Sequence, residues 1–140
     1  LVGNHENYDD MSTLRVDRIA HITVLSERRK PLREIKGYQQ QRTFNVSQYV
    51  KEHIYMFGGE SITVSFKAKR SIVNQILDWF DGNVEFSDVT PDDVVCRVRV
   101  NHHAFKYWAL QYMQSVKVLS PASLVTEVKE AIKEGLQQYS

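Results

Sequence analysis

An α+β fold is predicted by three observations. Apolar residues alternate with polar ones in "SITVSFKA" (61–68) and through Val94, Cys96, Val98 and Val100, which is the two-residue period of a strand with one buried face. Apolar residues recur at helical spacing in "RSIVNQILDWF" and "HAFKYWALQYM", and a stripe of that kind packs a helix onto a core. Turn-forming "DGN" and "TPDD" stand between these stretches, where the chain must reverse.

Each element of this unit has its own pattern. Ile62, Val64 and Phe66 face one way in the first strand, and Thr63, Ser65 and Lys67 face the other. Ile72, Val73, Ile76, Leu77 and Phe80 share a helical stripe, with Ser71 as the expected cap and "DGN" as the stop. Val84 and Phe86 mark a second strand, and a third carries Val94, Cys96, Val98 and Val100 opposite Val95, Arg97 and Arg99. A second helix runs through Phe105, Trp108, Ala109 and Tyr112, and Val116 and Val118 flank Lys117 in a fourth strand. Ser120 and Pro121 read as an N-cap and a favoured first helical residue. They precede the stripe of Leu124, Val125, Val128, Ala131 and Ile132 in a closing helix. The order is βαββαβ with an extra C-terminal helix, the ferredoxin-like split βαβ arrangement.

The first sixty residues are less regular. "LVGN" and "TLRVDRIAHITVL" (13–25) read as two strands flanking the hairpin connection "HENYDDMS". From Ser26 to Gln41 the pattern fades into a basic stretch in which Arg28, Arg29, Lys30, Arg33 and Lys36 meet only Glu27 and Glu34. Val46, Tyr49, Val50 and Ile54 then recur at helical spacing, and the Gly58–Gly59 pair is expected to end that helix. Three segments result: strands over 1–27, a basic linker with a short helix over 28–60, and the βαββαβ unit over 61–140.

With 140 residues the chain suits one ordinary domain or two very small ones. A hydrophobic content of 42%, a charged content of 25% and a net charge of +1 exclude a general attraction to polyanions, so any nucleic-acid contact must be local. Apolar runs are too short for a transmembrane span, and the start lacks a signal-peptide layout. The single cysteine, Cys96, cannot form an internal disulfide, and a reducing cytoplasmic setting is expected. Leu1 opens directly in strand-like sequence without an initiator methionine, as expected of a piece of a longer protein.

"TLRVDRIAHITVL" resembles the signature that ends a WYL domain, a small Sm-type β-barrel. "IYMFGGESITVSF" and "FKYWALQYMQSVKVLSPASL" resemble the start and end of the WCX extension that follows it in bacterial transcriptional regulators. The resemblance covers nearly the whole chain and implies a partial barrel followed by a ferredoxin-like domain. It implies a sensor and not a catalyst. In this family an amino-terminal winged helix-turn-helix, here outside the chain, binds operator DNA, while the WYL and WCX modules bind a nucleic-acid or nucleotide-like effector and form homodimers.

Two readings of the arginines in 13–25 follow. In one, Arg15 and Asp17 sit among charges on a sheet surface, and Arg18 lays its stem over the core. In the other, which the resemblance favours, Arg15 and Arg18 offer planar forks to an effector's phosphates. Arg28 and Arg29 of the basic arm are expected as further contacts, the ordinary alternative being a solvated charge run. The family often carries another arginine where this chain has Ser12. A secondary basic face is expected from Lys67, Arg97, Arg99 and Lys117, which alternation sends to the sheet side away from the helices. That face lacks the paired aromatics of RNA-reading sheets. Its ordinary alternative is cover by the barrel or a second subunit.

No catalytic set stands out. His102 and His103 are adjacent and lack metal-ligand spacing, and there is no glycine-rich phosphate loop or nucleophile elbow. Cys96 is expected to be buried. The expectation is therefore a non-enzymatic module without metal or cofactor that senses an anionic effector and dimerises. The alternative is a purely structural dimerisation domain.

Overall fold

The computed structural model describes residues 1–140. Near the amino terminus β1 (Val2–Asn4) and β2 (Met11–Thr13) pair antiparallel, with Gly3 opposite Ser12. Asn4 closes the connection between them, its side-chain amide donating to the carbonyls of Tyr8 at 2.9 Å and Asp10 at 2.7 Å.

The strand expected over 13–25 stops at its first residue. A 3₁₀ turn at Val16–Arg18 follows, and residues 20–30 make no backbone–backbone hydrogen bond. Ile22, Val24 and Leu25 are 77%, 92% and 68% exposed. The reason is the absence of a neighbour, because a strand persists only where another strand receives its N–H and C=O groups. The reading that laid the Arg18 stem over the core is lost with it, and Arg18 is exposed.

The short helix α1 spans Val46–Glu52, capped by the Asn45 side chain, which accepts from the Gln48 N–H at 3.0 Å. It ends before the glycine pair, because Tyr55 and Met56 already turn the chain at positive φ of 58° and 59°. Of its expected stripe Tyr49 and Ile54 are buried, whereas Val46 and Val50 are exposed. Gly58 serves a different purpose: a Cβ there would stand 3.0 Å from the Met11 carbonyl oxygen, a tight contact that would press the amino-terminal hairpin outward, so glycine suits the close approach. Met11, Ile35 and Tyr49 form a small buried cluster, joined at its edge by Leu32, Tyr38 and Phe44.

The remaining elements come in the expected order: β3 (Ser61–Lys69), α2 (Val73–Phe80), β4 (Val84–Ser87), β5 (Asp93–Asn101), α3 (His102–Gln111), β6 (Val116–Ser120) and α4 (Ala122–Gln137). The four strands form one antiparallel sheet in the order β4-β5-β3-β6, with Phe66 opposite Cys96 and Val84 opposite Val98. Alternate residues of β3 and β5 join Ile76, Phe80, Phe105, Trp108 and Leu124 in a single core of 17 buried residues. The helices therefore cover one face. Trp108 stands edge-on to Phe66 and Phe80, with ring centroids 5.4 and 4.9 Å apart.

Two helix starts differ from expectation. Ser71 lies inside a 3₁₀ turn at Arg70–Ile72 and caps nothing, so α2 begins without a side-chain cap. Ser120 remains in β6, where it pairs with Ser65 across the sheet, and α4 starts after Pro121. The stop of α2 is as expected: Asp81 and Gly82 adopt positive φ of 32° and 70°. No helix is long and apolar enough to cross a membrane.

Candidate functional site

Arg15 and Asp17 form a two-point fork, with Nε donating to Oδ1 at 3.0 Å and Nη2 to Oδ2 at 2.6 Å. Both side chains are exposed. The pairing holds the Asp17 carboxyl below its usual range and raises the guanidinium further. Arg18, Arg28 and Arg29 are exposed and make no ion pair. None of these four arginines lines either of the two main cavities.

Lys67, Arg97, Arg99 and Lys117 are brought together on the sheet face away from the helices. Lys67 lies opposite Lys117, and Arg97 lies opposite Ser65 on one side and Glu85 on the other. Two of the four are neutralised, since Lys67 pairs with Asp93 at 2.6 Å and Arg99 with Glu52 at 3.4 Å. Arg97 and Lys117 have no ion-pair partner. The face is thus basic at its centre and β6 edge, while α1 reaches it at the Arg99 end.

Two cavities lie where the amino-terminal segment meets this sheet, and they share Asp10, Met11, Gly59 and Glu60. The larger, about 560 Å³, opens toward His102 and His103. The smaller, about 380 Å³, is bounded by Lys36, Tyr38, Tyr49, Glu52, Ser61 and Arg99 among others. The Tyr49 and Ser61 hydroxyls are buried without a hydrogen-bond partner. Burial, then Tyr49, Glu52 and Asp10, push the Tyr38 phenol up to about 12. Of the residues expected from sequence only Arg99 belongs to this cavity. Its other walls come from segments with no shared period or motif, so no local signal marked them.

His53 stacks on Tyr49 with centroids 3.9 Å apart, its Nδ1 lying 2.8 Å from the Tyr49 carbonyl and its Nε2 3.1 Å from that of Gly59. A neutral ring has one N–H and can donate to only one of them. His102 meets the Glu127 carboxylate at 2.8 Å, and that hydrogen bond is the main reason the Glu127 carboxyl lies below its usual range. No three His, Cys, Asp or Glu side chains converge as metal ligands would. Cys96 is fully buried, and burial pushes its thiol up to about 11, far from the reactive thiolate.

Comparison with known proteins matches one family model. The WCX domain model aligns with residues 58–136, from the glycine pair to the last turn of α4. No curated protein matches the chain. The matched span holds the whole four-stranded sheet and the helices on it, which is more than half of the chain, and the chain therefore belongs to the WCX domain family.

Proposed function

We propose that this chain is the carboxy-terminal regulatory part of a WYL-type bacterial transcriptional regulator, and that it senses an anionic nucleic-acid or nucleotide-like effector and dimerises. Operator DNA would be held by a winged helix-turn-helix outside this chain. The WCX match supports the regulator reading. The observation that carries effector binding is the basic sheet face, where Arg97 and Lys117 stand unpaired beside Lys67. Strand order β4-β5-β3-β6 with antiparallel pairing supports a ferredoxin-like assignment. The exposed alternating residues Ile22 and Val24 suit a barrel strand parted from its neighbours. Arg18, Arg28 and Arg29 remain available as phosphate contacts, whereas Arg15 would have to leave Asp17. The reading is non-enzymatic and cytoplasmic, with Cys96 kept as a buried thiol.

Fluorescence anisotropy with a short labelled single-stranded oligonucleotide tests the reading. Arg97→Ala with Lys117→Ala should weaken binding about tenfold or more, as expected when charge-assisted contacts worth about 1.5–3 kcal/mol are lost, and raised salt should weaken the wild type more steeply. Arg18→Ala measures the share of the amino-terminal arginines. Absent or unaltered binding, together with a dimer in sedimentation, would favour a second reading, a structural dimerisation domain. That reading draws on the exposed Leu136 in the last turn of α4 and the exposed Tyr139 just beyond it.

A further inference from the structure

We infer that His53 is a proton-operated clasp that holds the amino-terminal layer on the four-stranded sheet, closed when its imidazole is charged and loosened when it is neutral. The ring is buried, and its only polar contacts are two main-chain carbonyls, that of Tyr49 at 2.8 Å from Nδ1 and that of Gly59 at 3.1 Å from Nε2. Both partners are acceptors only. In either neutral tautomer one ring nitrogen turns a lone pair toward a carbonyl oxygen, whereas the imidazolium donates to both. Burial opposes the charge, but two further features favour it. His53 is the C-cap of α1, and a cation is stabilised at that end of a helix. Its ring also stacks on Tyr49 with centroids 3.9 Å apart and planes 14° apart, an arrangement that suits a cation over an aromatic face.

The two carbonyls belong to different parts of the fold. Tyr49 lies in α1 and in the small cluster with Met11 and Ile35, whereas Gly59 leads through Glu60 into β3. Between them the chain reverses through Tyr55 and Met56, both at positive φ, which residues with a Cβ disfavour. A strained reversal persists only where the contacts around it hold it closed, and the His53 ring spans its base. Among the ionisable groups nearby, Glu52 of α1 faces Arg99 of β5, and Asp10, Lys36, Tyr38 and Glu60 border the same cavity. None of them pairs with the ring. Between about pH 6 and 8 histidine is the side chain that ordinarily changes charge, and the Tyr38 phenol, pushed up to about 12, keeps its proton throughout. Adding a proton to His53 completes a second hydrogen bond that the opened layer lacks, so by linkage acid favours the closed form.

Hydrogen exchange on the 140-residue chain is the test, read as protection factors so that the intrinsic pH dependence of exchange drops out. The amides to follow are those of Tyr49 and His53, which donate to the carbonyls of Asn45 and Tyr49. Their protection should rise about fivefold or more between about pH 8 and about pH 6, as expected when one charge-assisted hydrogen bond is added. His53→Gln carries no charge and should abolish the rise. His102→Gln, which removes the histidine paired with Glu127, should leave the rise intact. Nitrogen NMR of the His53 ring needs no variant and decides the matter should His53→Gln fold poorly: at about pH 6 both ring nitrogens of the folded chain should carry a proton. A protection profile flat across this range, the same rise in His53→Gln, or a singly protonated His53 ring at the acid end would overturn the inference.

Discussion

Asn101 ties the start of α3 to Gly58, its Nδ2 donating to the glycine carbonyl at 3.1 Å. The same amide lies 3.4 Å from the Glu60 carbonyl, and Oδ1 accepts from the Ala104 N–H at 3.0 Å as the helix cap. One fully buried side chain thus caps a helix and anchors the approach to β3. Asn101→Ala should lower stability by about 1–3 kcal/mol in urea melts, since a cap and a buried hydrogen bond are lost together. Asn101→Ser keeps a capping oxygen but is too short to reach Gly58, and should fall between. Equal losses for serine and alanine would mean that the tether, not the cap, carries the effect.

Trp108 is buried at the centre of the large core, yet its Nε1–H has no acceptor. Trp108→Ala should therefore destabilise by about 3–5 kcal/mol, the usual range for a buried aromatic. Trp108→Phe should cost much less, because it removes an indole N–H that was already unpaired. Denaturant melts of both variants make the comparison, and a phenylalanine as damaging as alanine would reveal a partner for the indole.

Glu127 gives the fold an acid-sensitive contact. Its carboxyl is depressed in the folded state, chiefly by the hydrogen bond to His102, with Lys106 3.7 Å away. A depressed carboxyl adds stability above its unfolded pKa and loses it as pH falls through the folded value. Glu127→Gln should thus be less stable than wild type at neutral pH. The gap should close below roughly pH 4, where glutamate ordinarily titrates. Melting temperatures across a pH series would show this, and a gap that persists in strong acid would contradict it.

Residues 20–30 offer no backbone hydrogen bonds to protect them, and Arg28 and Arg29 are exposed. Trypsin should cut after these arginines first and leave a resistant fragment carrying the four-stranded sheet. Mass spectrometry of a brief digest would identify the site. Early cleavage after Arg97 or Arg99 would contradict the order of stability described here.

The carboxy-terminal sheet was legible because β3 and β5 each bury one face and expose the other, so Val64, Phe66, Cys96 and Val98 announce their side by period alone. Ile22 and Val24 carry the same alternation and form no strand, since pattern specifies which face is buried only when a neighbouring strand exists. The basic face was legible for the reason that β3 was: Lys67, Arg97, Arg99 and Lys117 occupy the complementary positions. Their partners Asp93 and Glu52 were not, because one stands at a strand end and the other arrives from α1. The cavity could not be read at all. Asp10, Lys36, Tyr49 and Ser61 meet only through the fold.

The small cluster of Met11, Ile35 and Tyr49 has three buried residues where the large core has 17. Such unequal cores open on unequal timescales. Amide hydrogens of α1 and of the β1–β2 hairpin should exchange with solvent well before those of β3 and β5, through excursions that leave the sheet intact. Gly58, pressed against the Met11 carbonyl, is then the seam along which the amino-terminal layer lifts away and settles back.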